Sequence, residues 1–203
     1  MVKIGFIDDE NANYTDYAKR LKRRDIDLLF YEGDNTAVDI VNWLIDEDLK
    51  CLLIDYDLRK KFTTNGTDLV FEINQMLPDF PCIMLTNYPE QSKGEKLVPH
   101  RLIWDREIMN APDLSEVVDS IGNEIAVYLK RKDAPYEQYE TLVEKRTTSV
   151  LTAAEEERFL QLYTLFSRYG ETDDLPAQLL SSDVNKKLDS LIERMSRLLE
   201  KKD

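Results

Sequence analysis

The feature that most limits how this chain can fold is an alternation. Between residues 1 and 132, five short apolar runs (2–7, 26–31, 51–54, 81–85 and 101–104) are separated by longer stretches whose apolar residues recur every three or four positions. Tyr14, Tyr17, Ala18 and Leu21 share one face of a helix expected over 11–24. Val38, Val41, Trp43, Leu44 and Ile45 do so over 35–49, and Leu114, Val117, Val118, Ile121 and Ile125 over 113–132. A further helix is expected over 66–77, closed by Pro78, and a short irregular or helical piece over 89–97. Runs such as "CLLI" at 51–54 are apolar at every position, as expected of strands covered on both faces. Strand and helix in strict turn predict an α/β fold with a doubly wound parallel sheet. Such sheets gather ligands at the carboxyl ends of their strands, where the strand order reverses.

Those ends carry acids. Asp8 and Asp9 close the first run, Asp55 closes the third, and Asp57 follows two residues later. If strands one and three are neighbours, Asp8, Asp9 and Asp55 converge. Their mutual repulsion then calls for a cation, a proton or a basic side chain. An oxygen-only donor set suits Mg²⁺, and a carboxylate beside Mg²⁺ is also a competent phosphoryl acceptor. Thr86 ends the fourth run and puts a hydroxyl at the same end of the sheet.

Together these pieces resemble the receiver domain of two-component response regulators. The resemblance rests on "IGFIDDE" at 4–10, "CLLIDYDLR" at 51–59, "NG" at 65–66 and "IMLTNY" at 83–88, and it covers roughly residues 1–131. It implies a flavodoxin-like sheet of order 2-1-3-4-5. It also implies that Asp8 and Asp9 organise Mg²⁺, Asp55 accepts the phosphoryl group, Asp57 offers its backbone carbonyl to the metal, and Thr86 is the switch hydroxyl. The implied phosphodonor is a histidine kinase or another donor. The pattern departs from the family at strand five, where a lysine followed by proline is the rule. Here "LIWDREIM" puts Asp105 nearest the lysine position and Arg106 beside it. Leu102 or Ile103 stands where an aromatic switch residue belongs. Arg106, Lys93 and Lys96 are the basic side chains able to offset phosphoryl charge in the lysine's place.

Two other readings compete. A receiver-shaped module that is never phosphorylated needs only the fold. A Toprim-like Mg²⁺-dependent phosphotransfer or nuclease enzyme would use the Asp55-x-Asp57 pair, but it would want a glutamate at the first strand end and a nucleic-acid substrate. The net charge of -13 disfavours that substrate, and both 1–131 and 132–203 are net acidic. The basic run "KRLKRR" at 19–24 lies on a helix. No direct nucleic-acid contact is expected.

Beyond 132 the strands stop, which gives an expected division into 1–131 and a helical region, 132–203. "DAPYEQYE" sets a proline between two helical patterns, and helix is expected to resume over 137–146. A helix is expected over 152–170, with Thr152 as N-cap, Glu155 three residues on and Gly170 at its end. Another is expected over 181–202, with Leu188, Leu191, Ile192, Met195, Leu198 and Leu199 on one face. These stripes point to a protein partner or a second copy of the chain. Cys51 and Cys82 sit in apolar runs and read as buried thiols of a cytoplasmic protein. No apolar run is long enough to span a membrane, so no membrane contact is expected.

Overall fold

Three of the five strands are almost wholly buried, and their order explains why. β1 (Val2–Ile7), β2 (Ile26–Phe30), β3 (Leu52–Ile54), β4 (Cys82–Thr86) and β5 (Ile103–Asp105) form one parallel sheet in the order β2-β1-β3-β4-β5. This is the flavodoxin-like order. β3 and β4 lie inside the sheet and bury every residue, whereas the edge strands β2 and β5 leave positions partly open. In this computed structural model, residues 1–58, 61–169 and 172 are described. Met1–Leu151 is one compact unit and Thr152–Asp203 a second.

The helices are α1 (Tyr14–Lys22), α2 (Ala37–Asp46), α3 (Gly66–Met76), α4 (Pro89–Gly94), α5 (Ser115–Thr148) and α6 (Ala153–Arg168). Alternate strand residues Ile4, Phe6, Leu28, Leu53, Ile83 and Leu85 pack with Tyr17 and Leu21 of α1 and with Val117, Ile121 and Ile125 of α5 in one apolar cluster. On β1, a Cβ at Gly5 would come within 2.8 Å of the Trp43 ring of α2, so a glycine there lets the helix seat closely. Asp25, Asp48, Asp79 and Lys96, each just past the end of a helix, take left-handed φ values of 54–62° that turn the chain back toward the sheet.

Three elements differ from the sequence reading. The fifth strand begins at Ile103, because His100–Leu102 form a 3-10 turn, and it reaches Asp105. On α2 the buried face is Ala37, Ile40, Val41 and Leu44, and Val38 is exposed. α5 is one helix of 34 residues that runs through Pro135. The 131/132 boundary therefore falls inside it. A proline inside a helix removes one backbone hydrogen bond. Beyond it, Tyr139 and Leu142 are still buried, and that burial favours continuing the helix. In the second unit α6 starts with the expected capping box of Thr152 and Glu155, and Phe159, Leu162 and Phe166 are buried along one face. Gly170 and the helix expected over 181–202 lie outside the described residues. Cys51 and Cys82 are free, and burial pushes both thiols up, Cys82 to about 12. None of the described helices is long and apolar enough to cross a membrane.

Candidate functional site

Strand register assembles the acids. Ile7 pairs with Ile54, and Ile54 with Met84, so the residues that follow, Asp8 and Asp55, leave the sheet side by side between β1 and β3. That is the point where the strand order reverses. Thr86 lies two residues beyond Met84 and pairs with Asp105, which puts Arg106 one step further out. One carboxylate oxygen each from Asp8, Asp9 and Asp55 lies within 4.8 Å of the others.

The site is buried. Residues Asp8 and Asp55 are 2 % and 7 % exposed, and Thr86 is fully covered. Arg106, its side chain only 11 % exposed, reaches in from the 3-10 turn Arg106–Asn110 and places Nη2 2.9 Å from Asp8 Oδ2 and 3.0 Å from Asp55 Oδ1. The same nitrogen donates to the Leu85 carbonyl at 3.3 Å. Asp8 Oδ1 accepts the Glu10 N–H at 2.9 Å, and the Thr86 hydroxyl, which accepts the Tyr88 N–H at 3.1 Å, is near enough to Asp55 to pull its carboxyl down. Asp8 Oδ2 and Asp55 Oδ1 accept no hydrogen bond despite their closeness to Arg106. The contact is one of charge without alignment.

Burial decides the ionisation. It pushes the Asp8 carboxyl up to about 6, against the lowering pull of the Glu10 N–H and of Arg106, with Asp55 and Asp9 adding to the rise. Asp55 is raised by the same cause, opposed by Arg106, the Thr86 hydroxyl and the Tyr56 N–H. With its value near 6, Asp8 is mainly ionised at neutral pH.

The donor set fits a hard divalent cation. Oxygens bound to one Mg²⁺ at about 2.1 Å stand at most about 4.2 Å apart, so a small closure of the trio suffices. Two of the buried oxygens are still short of a partner. Asp57 lies outside the trio. Its side chain lines a separate depression of about 360 Å³ with Tyr56, Asn65, Tyr88 and Gln91. Of the basic residues considered for strand five, Arg106 reaches the acids. Lys93 pairs with Glu90 at 2.7 Å, and Lys96 sits exposed past the end of α4. Asp105 brings no repulsion to the site, because it is exposed and caps the following turn through the Glu107 N–H at 2.9 Å.

Four side chains went unseen in the sequence. Lys61 shares with Asp8, Asp9, Glu10 and Phe30 an open depression of about 480 Å³ in front of the acids. Its amine donates to the Tyr31 carbonyl at 3.0 Å and lies 5.4–5.9 Å from the ring centres of Phe30, Tyr31 and Phe62. A lysine six residues past Asp55, in "LRKKF", was the available signal. Arg20 of α1 donates to the carbonyls of Met109 and Ala111 and so ties down the turn that carries Arg106. Arg24 pairs with Asp113 at 2.7 Å. Two arginines of the basic run therefore serve the chain itself. Glu95, at the end of α4, accepts from Tyr56, Asn65 and Thr67.

Comparison with protein-family models finds no match, and no curated protein matches the sequence. Among solved structures, that of a transiently phosphorylated "switch" in bacterial signal transduction is similar to this chain at 16 % sequence identity and a TM-score of 0.46. The likeness covers 63 % of this chain and 97 % of that one.

Proposed function

We propose that residues 1–131 form a receiver-like signalling domain in which Asp55 accepts a phosphoryl group. The observation that carries this reading is the meeting of Asp8, Asp9 and Asp55 with the Thr86 hydroxyl and the Arg106 guanidinium at the reversal point of the sheet. An Asp55 oxygen attacks the phosphorus of a donor such as acetyl phosphate. The bond from phosphorus to the acetate oxygen breaks, and acetate leaves with that electron pair. Asp8, Asp9 and Asp55 are the residues that would hold Mg²⁺, which when bound neutralises phosphoryl oxygens. Arg106 and the Thr86 hydroxyl then face the added negative charge.

The donor in the cell would be a histidine kinase or a small acyl phosphate. The helical region, 132–203, would carry the signal onward by binding a protein or a second copy of the chain. The Toprim-like alternative gains nothing, because Asp57 does not join the trio. Incubation with acetyl phosphate and Mg²⁺ followed by intact-mass measurement tests the proposal. One phosphoryl increment is expected on the native chain and none on Asp55→Asn. No increment with any donor favours the module that is never phosphorylated.

A further inference from the structure

Asp8 Oδ2 and Asp55 Oδ1, which accept no hydrogen bond, are the oxygens left open to a cation that bridges β1 and β3, and a cation already stands there. Arg106 Nη2 is 2.9 Å from the first and 3.0 Å from the second. The two carboxylate side chains are 1 % and 9 % exposed, so solvent does not share in balancing their charge. Yet neither oxygen accepts a hydrogen bond, and Arg106 Nε, also buried, donates none. A buried guanidinium normally holds a carboxylate through aligned, often paired N–H bonds. Here Nη2 has one aligned acceptor, the Leu85 carbonyl, at a long 3.3 Å. Arg106 supplies charge to the acids while leaving Asp8 Oδ2 and Asp55 Oδ1 without a hydrogen bond, and such a partner is readily exchanged.

We infer that Arg106 is a resident, displaceable cation, and that a divalent metal enters the Asp8–Asp9–Asp55 cluster only as the guanidinium withdraws from both carboxylates. This rests on the reading of the cluster as a divalent-cation site. Two positive centres sharing the same two oxygens repel strongly at such separations, most of all where water is excluded. Metal and arginine therefore compete. The backbone carrying Arg106 stays in place, because Arg20 holds the carbonyls of Met109 and Ala111 and Met109 is fully buried. What moves is the side chain, which carries a positive charge away from the acids and toward the mouth of the site. Ion capture is thereby converted into a displaced charge on the β5–α5 connection. Strand five, which lacks the family's lysine and aromatic switch residue, would signal through that arm.

Mg²⁺ titration of the full chain by calorimetry tests the inference, comparing the native protein with Arg106→Met and Arg106→Lys. Arg106→Met keeps an apolar stem of similar reach without the charge. Its dissociation constant should fall by roughly tenfold or more, since a competing buried charge is removed. Arg106→Lys should restore the weaker binding. Equal or weaker Mg²⁺ binding by Arg106→Met overturns the inference while leaving the cation site standing. No binding by either protein removes the site itself, and the inference with it. A second measurement needs no variant to fold. The Arg106 Nε–H resonance of the native protein should shift as Mg²⁺ saturates the site, and a resonance unmoved at saturation overturns the displacement.

Discussion

Two polar clusters flank the end of β3, and the same force acts on both with opposite results. In one, the Glu95 carboxylate takes hydrogen bonds from the Tyr56 hydroxyl at 2.5 Å, the Asn65 amide at 3.1 and 3.2 Å, and the Thr67 hydroxyl. Burial pushes Glu95 up, but those donors outweigh it and leave the carboxyl below its ordinary value. In the other, burial pushes Asp8 up to about 6, and its donors do not cancel the rise. The Glu95 cluster is closed, with its acceptors engaged by the loop after β3 and the cap of α3. It is a clamp. The Asp8–Asp55 cluster keeps two buried oxygens without a hydrogen bond. Buried polar groups left short of partners in a folded chain mark places where a ligand or a chemical step completes the set.

Gly66 stands where the two clusters meet, and its substitution should have the largest effect. A Cβ there would lie 1.9 Å from the Asp55 carbonyl oxygen, a backbone atom that cannot swing aside. Gly66→Ala should cost about 3 kcal/mol in urea unfolding, at the upper end of overpacking. A loss under about 1 kcal/mol would show that the loop yields freely. Next in size, Glu95→Gln should destabilise by about 2 kcal/mol, because an amide cannot accept from every donor that the carboxylate serves. The same change of acid to amide should reverse sign in the other cluster. Asp8→Asn keeps an oxygen for the Glu10 N–H and removes a buried charge, so it should stabilise by about 1 kcal/mol at about pH 7.5. Equal signs for the two substitutions would erase the contrast.

The pH dependence is the finest of these tests. Asp8 has a folded value of about 6, above its ordinary 3.8, so its ionisation penalises the folded state above that value. The penalty is relieved as pH falls through about 6 toward 4, where the folded chain takes up the proton before the unfolded one. The advantage of Asp8→Asn should therefore shrink across that window. Glu95 behaves inversely. Its folded value lies below the ordinary 4.5, so its contribution is present above 4.5 and is lost as pH falls through the lowered value. Thermal midpoints of the native chain and both variants across these ranges separate the two carboxyls. An Asp8→Asn advantage that persists unchanged at low pH would assign it to packing instead of charge.

The open cluster was far more legible in the sequence than the closed one. Asp8, Asp9, Asp55 and Thr86 each follow an apolar strand, and a parallel sheet brings strand ends to one edge, while the neighbouring of strands one and three was what the resemblance to receiver domains implied. Arg106 was one of three basic candidates, and only the 3-10 turn after β5 decided among them. Glu95 was not legible, because its donors lie 28–39 residues away on a different loop, with no spacing to betray them. The continuity of α5 through Pro135 was hidden for a related reason. Local propensity argues for a break there, and burial of Tyr139 and Leu142 tips the balance the other way.

Asp55 is the proposed phosphoacceptor. An aspartyl phosphate is a mixed anhydride, which borohydride reduces at the acyl carbon to the alcohol, turning the aspartate into homoserine. The full chain should be treated with acetyl phosphate and Mg²⁺, reduced, digested and sequenced by mass spectrometry. Homoserine at position 55, dependent on the phosphodonor, is the expected result. Homoserine at Asp8, Asp9 or Asp57 instead, or at no position, would contradict the account.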